Sequence, residues 1–159
     1  MYLKGNMMDK LMSKNLIINE LLIEIENKIS SLNHSIEQLK ESLFNETKSS
    51  MGDKYETSRS IIQTEIEQYH NQYEVLVRHK NSLKMILRQS KNKHTDFGSL
   101  IISNKDLFLL GPGLGKKMIK NHLVYCISMH SPIGKILNEV QVGSSFNFNG
   151  ELLKVKSIE

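Results

Sequence analysis

Residues 11–43 read LMSKNLIINELLIEIENKISSLNHSIEQLKESL, and the spacing of their apolar positions decides the fold. Leu11, Ile18, Ile25, Leu32 and Leu39 repeat every seven residues, and Leu22, Ile29, Ile36 and Leu43 form a second row four residues after members of the first. Two such rows make the stripe by which one helix packs on another as a coiled coil. The pattern stops over Asn45-Glu46-Thr47-Lys48-Ser49-Ser50-Met51-Gly52. It resumes as Tyr55, Ile62, Ile66, Tyr69, Tyr73, Leu76, Leu83 and Leu87, with Arg59 and Lys80 as polar interruptions. Two stripes separated by a short break predict an antiparallel helical hairpin with arms about 55 Å long and an exposed tip. The same stripes pairing between chains would give a dimeric coiled coil.

Glycine and proline divide the rest of the chain. Only Gly5 and Gly52 precede residue 98, whereas seven glycines, Gly98 among them, and both prolines, Pro112 and Pro132, lie from there on. Helix interiors exclude these residues and turns use them. The reading is therefore α+β. A hairpin occupies residues 1–90, with its periodic part from about residue 7 and an acidic tip near 46–56. A polar linker spans 91–96, and a small turn-rich β domain spans 97–159. Gly98–Ser103 and Asp106–Leu110 are short apolar runs, and His122–Met129 is a further β-rich run. Phe146–Val155 reads as a hairpin whose Asn149-Gly150 pair supplies the positive φ angles of a type I′ turn. Ser131-Pro132 opens a short helix through Leu137, with Ser as N-cap and Pro at the first helical position.

Composition narrows the function. The 159 residues carry a net charge of +4, include a single cysteine, Cys126, and have no Trp and no Ala. A mildly basic balance permits an acidic partner without demanding one. An aromatic content of 6% supplies a base-stacking platform poorly. One cysteine makes no internal disulfide and no Cys-rich zinc site, and it reads as a small core residue in a reducing compartment. No apolar run reaches membrane-spanning length, and the first residues lack the apolar core of a signal peptide, so a cytoplasmic location is expected. The six histidines show no zinc-ligand spacing. Gly111-Pro112-Gly113-Leu114-Gly115-Lys116-Lys117 resembles a phosphate loop but fails it. Leu110 stands where the first Gly is needed, and Lys117 where Ser or Thr is needed. The run reads as a tight turn with a basic exit.

The predicted tip carries Gly52-Asp53-Lys54-Tyr55-Glu56. Asp53 and Glu56 are three residues apart at a helix start, which is the spacing of a capping box. The same carboxylates have lone pairs left for a cation. Two carboxylates alone hold Mg²⁺ weakly, because the ion prefers six oxygen ligands and keeps its waters, so a functional ion there needs further ligands from a partner.

These residues, in this order, resemble the Gre family of bacterial transcript-cleavage factors. The resemblance rests on Gly-Asp-x-x-Glu at a hairpin tip, on Ile127-Ser128-Met129-His130-Ser131-Pro132-Ile133-Gly134-Lys135-Ile136-Leu137, and on the following Val142-Gly143, Asn149-Gly150 and Leu153–Ile158. It implies an FKBP-like C-terminal domain docked at the rim of the RNA polymerase secondary channel through Ser131, Pro132, Ile133 and Lys135. It also implies a hairpin inserted in that channel. Asp53 and Glu56 would help the polymerase hold a second Mg²⁺ that activates water against the phosphodiester of backtracked RNA. Lys48, Lys54 and Arg59 would offset phosphate charge near the RNA 3′ end. The protein itself would be a monomeric cofactor of the polymerase rather than an enzyme. The sequence departs from the family after the tip, with Thr57-Ser58-Arg59-Ser60, and in its Pro112-Gly113-Leu114-Gly115 turn. A channel-binding regulator without cleavage activity and a structural coiled-coil adaptor are the alternatives.

Overall fold

A computed structural model of the chain describes residues 12–48, 52–89 and 94–159, without the side chains of residues 46–48 and 53. The architecture is α+β. Two long helices, α1 (Lys14–Lys48) and α2 (Asp53–Arg88), precede a six-stranded mixed sheet. The chain divides into two compact units, one of Leu22–Asn81 and one combining Met1–Leu21 with Ser82–Glu159. The first and last turns of the helical pair thus belong to the sheet unit.

In the helical unit the heptad reading locates the contacts. Leu22, Ile25 and Ile36 are buried, and Ile29, Leu32, Leu39 and Leu43 are partly buried. On α2, Tyr55, Ile62, Ile66, Tyr69, Tyr73 and Leu76 are all partly buried. Apolar residues off the stripe, Ile23, Phe44, Ile61 and Val75, are exposed. Lys80, which interrupts the stripe, reaches across to Glu26 on α1 at 2.9 Å and is only 27% exposed. Its aliphatic stem covers the seam while its ammonium finds a carboxylate. Such a partly solvated pair contributes well under ~1 kcal/mol, so the apolar seam holds the two helices together.

The sheet unit contains β1 (Leu100–Ser103), β2 (Leu107–Leu110), β3 (Gly115–Ile119), β4 (His122–Ile127), a short helix α3 (Pro132–Leu137), β5 (Ser145–Phe148) and β6 (Glu151–Ile158). The strand order is β3-β4-β2-β1-β6-β5. β2 and β4 run parallel, Phe108 opposite Tyr125, and every other pair is antiparallel. β1 carries a register shift against β6 between Ile102 and Ser103.

Both faces of the central strands are covered, which explains why they read as continuous apolar runs rather than alternating ones. On one face Ile101, Phe108, Leu110, Phe146, Leu153 and Val155 pack with Leu137 of α3 and with Val140. Leu100, Leu109, Val124 and Cys126 alternate with these onto the other face and are equally buried, and the unit's share of the long helices forms a buried layer of Met12, Ile17, Ile18, Leu21, Leu83 and Ile86. Ile86 fixes how close that layer comes. A Cβ at Gly98 or Gly111 would stand 3.1 Å from its side chain.

One reading changes here. The run Gly115–Ile119 is a strand, β3, and not only the basic exit of a turn. It joins β4 through Lys120-Asn121, whose φ angles of 45° and 67° are those of a primed two-residue turn made without glycine. Asn149-Gly150, at φ 51° and 82°, is the turn the sequence predicts. The domain's few aromatics form one cluster. Phe108 stacks on Tyr125 at 5.3 Å, and Phe148 meets both edge-on at 5.0 and 4.7 Å.

Candidate functional site

Helix α1 ends at Lys48 and α2 begins at Asp53. Gly52, immediately before α2, has φ +122° and open space where a side chain would be. Only glycine adopts that conformation without strain. Its carbonyl accepts the Tyr55 N–H at 3.0 Å, closing the first turn. Asp53 is therefore the first helical residue rather than the N-cap, one position later than the capping-box reading, and Gly52 fills the capping position. An acidic residue in the first turn still suits the positive end of the helix dipole.

Glu56, Lys54 and Arg59 are exposed, and Tyr55 is partly buried on the seam. Glu56 thus presents its carboxylate to solvent one turn into α2, with a cation on either side in sequence. The side chains of Asp53 and Lys48 lie outside the described residues, so the proposed pairing of Asp53 with Glu56 has no measured geometry. Among the described residues no three His, Cys, Asp or Glu side chains converge to hold a metal ion. A Mg²⁺ held only by Asp53 and Glu56 would need further ligands from a partner, since the ion prefers six oxygens.

The second candidate surface is the start of α3. Ser131 caps the helix: its Oγ accepts the Gly134 N–H at 3.0 Å and donates to the Ser128 carbonyl at 2.7 Å. Pro132 occupies the first helical position and is exposed. Ile133 packs against the core cluster, Gly134 and Leu137 are buried, and Lys135 is exposed. Of the four residues read as docking contacts, Ser131 and Ile133 thus have structural work of their own, whereas Pro132 and Lys135 face solvent. The neighbouring Ile136, 47% exposed, is an apolar surface residue that the sequence reading passed over. The helical period was the available signal, since Pro132, Lys135 and Ile136 fall on one face.

Among the described residues no helix is long and apolar enough to cross a membrane. Comparison with protein-family models, with curated proteins and with solved structures gives no match for this chain.

Proposed function

We propose that this protein is a Gre-like transcription elongation factor that enters the RNA polymerase secondary channel and stimulates cleavage of backtracked RNA. The observation that carries the reading is the order of its parts. Helices of 35 and 36 residues flank a four-residue connection that ends in Gly52, Asp53 opens the second helix, Glu56 is exposed one turn on, and a β domain with a Ser-Pro-capped helix follows. On this reading the sheet unit is FKBP-like and contacts the channel rim through the α3 segment. Asp53 and Glu56 supply two oxygen ligands to a Mg²⁺ whose remaining ligands are polymerase carboxylates and water. Lys48, Lys54 and Arg59 lie close in sequence to meet RNA phosphate. The protein lends ligands to the polymerase's own nuclease activity, which is the two-metal logic of phosphoryl transfer shared between two chains.

Asp53→Asn tests it. At the first helical position this change forfeits only a dipole interaction of ~0.3–1 kcal/mol, so the hairpin stays folded while a metal ligand is lost. The expected result is loss of stimulated cleavage on backtracked complexes, with polymerase binding kept. Wild-type cleavage by the variant refutes a metal role for Asp53. A wild-type protein that binds polymerase without stimulating cleavage would be a channel-occupying regulator, the reading favoured by the non-acidic Thr57-Ser58-Arg59-Ser60 stretch after the tip. Failure to bind polymerase together with stable dimerisation would make it a coiled-coil adaptor.

A further inference from the structure

We propose that the outer edge of β3 takes an extended acidic peptide by strand addition, a binding site separate from the tip and independent of the polymerase reading. Among the described residues β3 ends the sheet and pairs only with β4. Its two-residue turn makes Ile119 and His122 the closing pair, which exchange both hydrogen bonds. Alternation along the ladder then directs Lys117 toward β4 and leaves the N–H and C=O of Lys116 and Met118 facing outward. Met118 is 68% exposed, and Gly115 and Lys116 on the same strand are exposed as well.

Charge selects the occupant. Residues 107–138, which build β2, β3, β4 and α3, contain Lys116, Lys117, Lys120 and Lys135 and not one Asp or Glu. Those four lysines equal the net charge of +4 of the whole chain, so basic and acidic residues balance everywhere else. Three of the four lie in β3 or its turn. Asp106 and Glu151 are the carboxylates whose charge reaches Tyr125, and Glu151 is paired with Lys105. Lysines along an edge repel a second copy of the same edge, which is how natural sheets avoid self-association. The same lysines attract an acidic strand. A peptide also offers the backbone donors and acceptors that an edge requires and that a nucleic acid lacks. Tyr125, the aromatic ring of β4, is committed to the Phe108 and Phe148 cluster and gives bases no platform.

The test uses the isotopically labelled full chain and three probes: a blocked peptide of about nine residues alternating Glu with Val, its Lys-for-Glu counterpart, and a single-stranded RNA of equal charge. The expected result is that the Glu peptide alone slows hydrogen exchange at the Lys116 and Met118 amides. Lys116→Glu with Lys120→Glu should weaken it on the order of tenfold. Met118→Pro removes the outward N–H, which edge strands tolerate because the inner ladder does not use it, and should abolish binding. Met118→Ala should keep it. The proposal is overturned if the Glu peptide leaves those two amides unprotected. It is equally overturned if Met118→Pro, folded, binds like wild type, or if the RNA protects the same residues more strongly.

Discussion

Replacing Gly134 with alanine probes the contact on which the α3 segment depends. An added Cβ would lie 2.0 Å from the Ser128 carbonyl oxygen and 2.9 Å from the Met129 Cα, both backbone atoms with no rotamer to turn away. Relief requires the helix and the β4–α3 connection to separate by more than ~1 Å. The Ser128 carbonyl accepts the Ser131 N–H at 3.0 Å and the Ser131 hydroxyl at 2.7 Å, and a shift of that size breaks both. Two hydrogen bonds at about 1 kcal/mol each, with 1–3 kcal/mol of overpacking strain, give roughly 3–5 kcal/mol. The better helix propensity of alanine offsets about 1 kcal/mol. The net expectation is a destabilisation of about 2–4 kcal/mol. The assay is urea unfolding followed through methyl resonances of Leu137 and Val140, so that melting of the helical pair is not counted. Lys135→Ala, one residue on and exposed, should stay within about 0.5 kcal/mol of wild type. A Gly134→Ala protein as stable as wild type would refute the reasoning, since it would mean that the segment yields freely.

Ser131→Ala removes both hydrogen bonds of the capping hydroxyl and should cost about 1–2 kcal/mol in the same unfolding assay, with Ser131→Asp recovering only the part owed to the Gly134 N–H, since a carboxylate has no proton to give the Ser128 carbonyl. In the β3–β4 turn, Lys120→Asn with Asn121→Gly installs the pair that prefers positive φ at both positions. It should stabilise the sheet unit by about 1 kcal/mol, read as a rise of several degrees in melting temperature. His79 is half-buried on α2, and its burial, then the neighbouring Arg78, hold the imidazole below its ordinary value of 6.5. The unfolded chain therefore takes up that proton first as pH falls. Stability of the helical unit should be full above pH 6.5 and decline from there down to the lower folded value. His79→Gln should flatten that part of the stability profile measured by thermal melts.

The hairpin was legible because a coiled-coil stripe is a local pattern repeated many times, and each of Ile25, Ile36 and Leu76 adds evidence to the others. The start of α2 was legible to within one residue, whereas the predicted break at Asn45 came early, because α1 runs on past its last stripe residue, Leu43, to Lys48. Gly52 and Asp53 both suit a helix start, and only the Gly52 carbonyl bonding to the Tyr55 N–H fixes which of them is inside the helix. β3 was missed because Lys116-Lys117-Met118 shows neither alternation nor β-branched enrichment, and because its turn, Lys120-Asn121, lacks glycine. That strand exists through its ladder with β4, a tertiary cause that local propensity does not carry. Which face each apolar run presents was equally hidden. Leu100-Ile101-Ile102 is buried on both sides, so its sequence has no period to read.

The Ile-Ser-x-x-Ser-Pro-Ile segment shows why a motif alone does not separate folding from recognition. Ser131 closes the helix start, Ile133 fills the core, and Gly134 admits the Ser128 carbonyl; each position is constrained before any partner arrives. Loss of function on mutating these residues would report misfolding as readily as lost contact. Pro132, Lys135 and Ile136 lie on the solvent side of the same helix and carry little of that burden. If α3 meets a partner, the binding energy must be read there. Lys135→Glu and Ile136→Asp should reduce association while leaving the unfolding transition of the sheet unit in place. A pair of variants with unchanged association would remove α3 from the docking surface, whatever the behaviour of Ser131 and Gly134.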